Sequence, residues 1–426
     1  MKQKIYTLLF VVVVIATAQL SHAQSPYTLK QVIVLNQGPY GGPVSVGSYD
    51  PAKKTYQDFD NLPQLRFASY VIIDNGYIYV AADSLLIKYD LNTKQKLATQ
   101  VVHGIREIAV WGNELLVTRG DVSALNSYFQ VYDASTLNFI YELSSVSGAS
   151  EGVKVLGDTA YVAVNDFGVG NVGKLAVIDL KNQIENREID LGSSGYNPFD
   201  VEVEKTNNTV YTVNNLNYNG TSITKYTPST GTFTTKTVNS SSPCNGSTYY
   251  LDNIYFQTSS DNNIQVFRTS QLSIWDSLVV TKTAVGMAAD SVHGYMYVGS
   301  TDYASYGTVS IYDLYGNTID TFSADVDPSN YAFDVRSASG FDNISSFATI
   351  EMYPNPVTNQ LRVIMNDSKD AQARLTLTDI LGRQVYEQQI STNAYTLVPM
   401  DVLSQGLYFL KAETANGELT RKIVKE

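Results

Sequence analysis

The chain has 426 residues and a formal net charge of −12, with 29 basic against 41 acidic side chains. An acid excess argues against nucleic acid and anionic membrane surfaces as partners, since both need clustered Lys and Arg. The 31 Tyr against 2 Trp, with only 16% charged residues, suit half-buried strands joined by tight turns and suit long helices poorly.

Residues 1–23 read as a signal peptide. Basic "MKQK" precedes the apolar run "IYTLLFVVVVIATAQL", and "SHA" gives a small-x-small cleavage pattern before Gln24. The run is 16 residues, short of the ~20 that span a bilayer comfortably. No Cys stands at the cleavage point, so lipid anchoring is not expected. The expectation is export to the periplasm and then to the cell surface or the medium. A single Cys, Cys244, is present, so no internal disulfide can form and stability must come from a large core or from closing a ring.

Three strands follow, "KQVIVLNQG", "GPVSVGSYD" and "KTYQDF", a sheet that lacks its innermost member. From there one kind of strand end recurs. "YDPAKKT" begins at Tyr49, "YDLNTKQ" at Tyr89, "YDASTLN" at Tyr132 and "IDLKNQI" at Ile178. "YTPSTGT" begins at Tyr226, "FRTSQLS" at Phe267 and "YDLYGNT" at Tyr312, giving spacings of 40, 43, 46, 48, 41 and 45 residues. An all-β period in the forties specifies a β-propeller with four strands per blade. Each copy closes a third strand and turns into the outer one. Hairpin turns at "DNGY" (74–77), "LGDT" (156–159), "TNNT" (206–209) and "LDN" (251–253) join the first two strands of a blade. The last repeat is followed by "SNYAFDVRS" at 329–337, a strand in need of a sheet. Pairing it with the first segment completes a seven-bladed β-propeller over 24–337 and removes an exposed edge.

The stretches "TAYVAVNDFGVGNVGKLAVIDLKN" and "NTVYTVNN" resemble the YVTN/YncE-like repeats of surface-layer seven-bladed propellers, over about 24–340. The resemblance implies the fold and leaves the ligand open.

After a linker at 338–348, residues 349–426 alternate in the manner of a small Ig-like β-sandwich. Their motifs are similar to those of the type A sorting domain of the type IX secretion system. They are "YPNP" (Tyr353, Pro354, Asn355, Pro356), "LTDILGRQV" with Gly382, "GLYFLKA" with Gly406 and Tyr408, and "RKIVKE" with Lys422. That resemblance implies a Bacteroidota-type cell and the type IX secretion machinery as partner. It also implies removal of the tail near the linker, with attachment to surface polysaccharide or release.

Catalytic constellations are scarce. Outside the signal peptide stand His103 and His293, the latter in a turn at the far end of its blade. The sequence contains no HExxH, GxSxG, P-loop or clustered Cys/His, so no cofactor or metal is expected. "RGD" at 119–121 reads as a strand end leading into a loop. The loops between second and third strands, such as "NQGPYGGP", "NDFGVGNVG" and "STDYASYGT", are long and rich in Asn, Asp, Tyr and Gly. They share one face with the starts of the innermost strands, and Tyr and Asn supply stacking area and adaptable hydrogen bonding. The expected ligand site is therefore Tyr40, Arg66, His103, Arg106, Tyr128, Glu151, Asn165, Asp166, Phe199, Asn214, Asn215, Asp302 and Tyr303. A monomeric, non-catalytic binding propeller with an extracellular ligand is the leading expectation. A capture protein for an outer-membrane transporter, of the corrinoid-capture type, and a secreted lyase or polysaccharide-acting enzyme are the alternatives.

Overall fold

Seven sheets of four antiparallel strands follow the seven copies of the repeated stretch. The computed structural model describes residues 27–120, 125–165, 171–280, 282–337, 348–367, 372–380, 382–392, 394–414 and 417–426. The signal peptide, nearly all of the linker, Asp121 and Asp166 lie outside the described residues.

The innermost strands are Pro328–Ser337, Ala68–Asp74, Ile105–Trp111, Ser150–Leu156, Pro198–Glu204, Pro243–Tyr250 and Gly286–Asp290. Each neighbours the next, and the seventh neighbours the first, so the blades form a closed ring around a channel. Blade 1 takes its innermost strand from the end of the propeller. Pro328–Ser337 pairs antiparallel with Tyr27–Asn36, from Tyr27 opposite Ser337 to Asn36 opposite Pro328. The fold class expected from the repeat is the one observed, including this closure.

Apolar patterning accounts for the stacking. The second strand of a blade is buried on both faces, which is why "VIVL", "YIYVAA" and "YVAV" are nearly continuous apolar runs. Buried apolar side chains of the ring fall into seven clusters, one between each pair of successive blades. Ile33 faces blade 2 while its neighbours Val32 and Val34 face blade 7. Fully burying such a side chain is worth about 1.5–3 kcal/mol.

The repeated turn has a common anatomy. Its first residue is buried, as in Tyr49, Tyr89, Tyr132, Ile178, Tyr226, Phe267 and Tyr312. The Tyr hydroxyl finds a partner in several blades, Tyr49 donating to Asp320 at 3.0 Å and Tyr89 to Asp60 at 2.7 Å. The next residue is Asp in five blades, and its carboxylate accepts from backbone N–H groups two to four residues on. Such Asx-type bonds fix a turn without help from the rest of the fold. The carboxyls of all five lie below the usual range. The Lys53 side chain is the main cause for Asp50, the Ser135 hydroxyl for Asp133, and the backbone N–H groups of Thr93 and Asn182 for Asp90 and Asp179. For Asp313, burial is outweighed by the bonds from Asn317. Five residues after the Tyr, Ile or Phe, the chain enters the left-handed region in six blades: Lys54, Lys94, Leu137, Gln183, Gly231 and Leu272 have φ between 52° and 68°.

The tail is a sandwich of a three-stranded and a four-stranded sheet. Its core contains Ile350, Val363, Leu375, Leu377, Tyr408, Leu410 and Ile423. Asn355 locks the two ends of this unit together: its Nδ2 donates to Lys422 O at 3.0 Å and its Oδ1 accepts from Val424 N at 2.8 Å. Gly382 sits in a turn at φ +78°, and the Tyr408 hydroxyl donates to Ser404 O at 2.8 Å.

Candidate functional site

Where the seven innermost strands begin, they enclose a cavity of about 440 Å³ at the channel mouth. Every blade contributes to it. Blade 2 supplies Phe67 and Tyr70, blade 3 Arg106 and Glu107, blade 4 Glu151 and Lys154, and blade 5 Phe199, Asp200 and Glu202. Blade 6 adds Ser247, blade 7 Met287, and blade 1 Gln37 and Asn330.

These side chains reach the channel because the inner strands are bulged at their starts. The pairing register slips between Ala68 and Tyr70, Ile105 and Ile108, Ser150 and Val153, Pro198 and Asp200, and Cys244 and Ser247. A bulge places two residues opposite one and re-aims the side chains around it. Gly152 lets two inner strands approach: a Cβ there would lie 2.7 Å from Val201 N and 2.9 Å from Asp200 Cα. Beneath the mouth, Thr118 ties blade 3 to blade 4, bonding the Glu107 backbone and donating to Glu151 O at 2.5 Å.

The charges come from three blades and form three bonded groups, two of them coupled through Lys154. Arg106 Nε donates to Glu151 Oε2 at 2.8 Å. Lys154 pairs with Glu107, and its Nζ donates to the Tyr70 hydroxyl oxygen at 3.1 Å. Ser247 donates from its backbone N to Asp200 Oδ2 at 2.9 Å, and its Oγ lies 2.8 Å from Asp200 Oδ2 and 3.2 Å from Glu202 Oε1. Burial pushes Glu107 up to about 7, with the Lys154 charge opposing. Burial and the neighbouring Asp200 push Glu202 up to about 8, again against Lys154. For Lys154, burial disfavours the charge, but the carboxylates around it win and hold its pKa well above the usual value. The cluster can hold a cationic or hydroxyl-bearing group against the carboxylates and an anionic one against Arg106 and Lys154. Phe67, Phe199 and Met287 offer apolar contact.

Of the residues expected from sequence, Arg106, Glu151 and Phe199 meet in this cavity. The others that are described lie elsewhere. Arg66 is forked onto Asp83, with Nε and Nη2 both at 3.0 Å. His103 is exposed and its carbonyl accepts from Arg119 Nε at 2.9 Å. Arg119, the first residue of "RGD", is buried, donating to His103 O and to Ser127 O at 2.9 Å. Tyr128 packs against the core between blades 3 and 4. Asn165 is buried and donates to Pro198 O at 3.1 Å. Asn214 is buried within blade 5, donating to Ser222 and Thr224 at 3.0 and 3.1 Å. Asn215 caps a short turn through Tyr218 N. Asp302 binds the backbone N–H groups of Ala304 and Ser305, which hold its carboxyl at about 2. Tyr40 is 97% exposed and Tyr303 54% exposed, neither lining the cavity. His293, on the opposite face, has Nδ1 2.6 Å from Asp290 Oδ2 and stacks on Tyr295.

Reading the sequence for loops passed over Tyr70, Glu107, Lys154, Asp200, Glu202 and Ser247. A signal for two of them was present. "VKV" at 153–155 and "VEV" at 201–203 place a charge between two valines on an innermost strand. The valines pack into interblade cores, which leaves the charge to the channel.

Residues 351–426 match the family described as secretion system C-terminal sorting domain. This tail marks the protein for export to the cell surface or the extracellular space and for interaction with the type IX secretion machinery. No curated protein matches the chain. Among solved structures it is similar to a quinonprotein alcohol dehydrogenase-like protein from Bacteroides thetaiotaomicron, with a TM-score of 0.54, 17% identity and coverage of 71% of this chain and 78% of that one. A functionally unknown protein from Desulfotomaculum acetoxidans gives a TM-score of 0.53 at 14% identity, covering 72% and 98%. Hydrazine synthase from Kuenenia stuttgartiensis gives 0.53 at 18%, covering 62% and 89%. At these identities the likeness concerns the propeller fold and carries no ligand across.

Proposed function

We propose that this is a non-catalytic binding propeller of the surface-layer YVTN/YncE-like kind, displayed on the cell or released, which takes a polar ligand into the channel mouth. One observation carries the reading. Seven separate strands deliver aromatic, cationic and carboxylate side chains into a single open cavity, whose volume is that of a small-ligand site. In this reading residues 1–23 are removed on export, 24–337 form the binding unit, and 338–348 link it to a secretion tail that is cut off near the linker.

The test is a thermal-shift screen of the full chain against glycans and small polar metabolites, since a ligand of the folded state raises its melting temperature. A hit should bind about tenfold or more weakly to Arg106→Ala, as expected of a central anchor, and unchanged to His293→Ala. A hit indifferent to Arg106→Ala would overturn the assignment of the site. Deleting 351–426 should trap the protein in the periplasm, and arrival of the truncated chain at the surface would sink the secretion role of the tail.

A further inference from the structure

The face opposite the channel mouth carries a groove of about 370 Å³ between blades 1 and 2. Its walls come from three strands of blade 1, from the repeated turn of blade 2, and from Arg336 near the end of the closing strand. Four cations line it, Lys30, Lys53, Lys94 and Arg336, against one carboxylate, Asp50. This concentration stands out in a chain of net charge −12.

Three of the four cations have fixed partners. Arg336 donates from Nε and Nη2 to Asp334, at 2.9 and 2.6 Å, and from Nη2 to Asn92 Oδ1 at 2.7 Å. Lys94 Nζ donates to Gln31 Oε1 and Leu91 O, both at 2.5 Å, and lies 5.6 Å from the Phe59 ring. Gln31 in turn accepts from Ser48 Oγ at 2.9 Å and donates to Asp334 at 2.8 Å. Lys53 pairs with Asp50 at 2.7 Å. Even with Asp334 and Asp90 counted beside Asp50, four cations face three carboxylates.

We propose that this groove binds a carboxylate-bearing saccharide. The surplus positive charge calls for an anion. The Arg336 fork is engaged by Asp334, so the ligand meets mainly the point charges of lysines, which take an anion without demanding the bidentate geometry of a guanidinium. The hydroxyl-matching groups beside them favour an acidic sugar over bare phosphate. The neutral groups Ser48, Thr55, Gln57 and Asn92 suit sugar hydroxyls, and Phe59 supplies an apolar edge for a ring. The volume lies at the small end of ligand sites, room for about two sugar rings.

Lys94 gives the proposal a second readout. Burial pushes its amine down to about 8, Arg336 pushes the same way, and Asp334 and Asp90 oppose them. A sugar carboxylate placed beside it would restore the charge, so binding at pH 8.5 takes up a proton.

Calorimetry of the full chain with tri-galacturonate at pH 7 and low salt tests this, with a neutral galactose trisaccharide and inorganic phosphate as comparisons. The acidic trisaccharide should bind at least about tenfold more tightly than the neutral one, and binding should weaken in 0.5 M salt. Lys30→Gln and Lys94→Gln should each weaken it about tenfold, a loss typical of a charge-assisted contact, and Lys30→Gln should leave the melting temperature unchanged. Heats measured at pH 8.5 in two buffers should show proton uptake, absent from Lys94→Gln. The proposal is overturned by equal affinity for the neutral sugar, by no binding of tri-galacturonate, or by full affinity when Lys30→Gln and Lys94→Gln are combined. It is also overturned if phosphate binds as well and with the same dependence on Lys94. None of these outcomes bears on the channel mouth, whose lining residues are different.

Discussion

The two ends of the propeller are built on opposite plans. At one end the same turn is repeated blade after blade, with a buried aromatic or aliphatic residue, an Asp on the following N–H groups and a residue in the left-handed region. At the other end the loops share no common sequence, and the inner strands below them are bulged in six blades. The repeating end satisfies its own backbone locally and can be copied. The irregular end spends its backbone on re-aiming Glu107, Lys154, Asp200 and Glu202 into the channel. The groove of the first end lies where its repetition is interrupted by Arg336, a residue from a strand belonging to no repeat.

That contrast can be broken in graded steps. The largest effect is expected at the channel. Lys154→Met strips Glu107 of its cation in a buried setting, which should cost about 3 kcal/mol in urea denaturation. The loss should be greatest above pH 7, where Glu107 must ionise without its partner. Next comes Glu202→Gln, read by melting temperature against pH. The native carboxyl titrates near 8 against an ordinary 4.5, so between those values the native state binds more protons than the unfolded one. Wild-type stability therefore falls as pH rises through that window. The variant should match wild type near pH 5 and melt several degrees higher at pH 8.5; parallel curves would show that Glu202 is ordinary.

At the repeating end the effects should be smaller. Asp133→Ala removes the acceptor for the N–H groups of Ser135 and Thr136 and should cost about 1 kcal/mol, with other blades and ligand binding untouched. Smallest of all, Gln183→Gly relieves an exposed side chain at φ 56° and should stabilise by roughly 0.5 kcal/mol. A loss there would mean that the glutamine makes contacts the turn depends on.

The architecture was legible because its signals are local. Each Tyr-Asp turn announces itself within seven residues, and an unpaired strand at 329–337 could only go to an unfinished first sheet. The site was less legible for a related reason. Asn215 and Asp302 sit in loops of ligand-binding composition and Asn214 ends the strand before one, yet their side chains serve their own backbone and neighbours. Asn and Asp in a loop are chosen for that work as often as for a ligand. The residues that do reach the cavity lie within strands, past bulges that shift the alternation from which their direction would be read. Arg106 and Phe199 were found because they stand at strand starts, and Glu202 was missed because it stands beyond one.

The closing strand also decides how the ring answers force. The chain leaves the propeller at Ser337, whose partner across the sheet is Tyr27. A pull applied through the tail is delivered to that outermost rung and then to Arg336 against Thr28, so the pairs open one after another, as a zipper does, without the strand having to slide along its whole length at once. Bonds loaded in sequence yield at lower tension than the same bonds loaded together. The contacts first lost include Arg336 with Asn92 of blade 2, which holds one wall of the cationic groove. Tension on the tail would thus dismantle the groove while six blades, each made from a single run of chain, still stand.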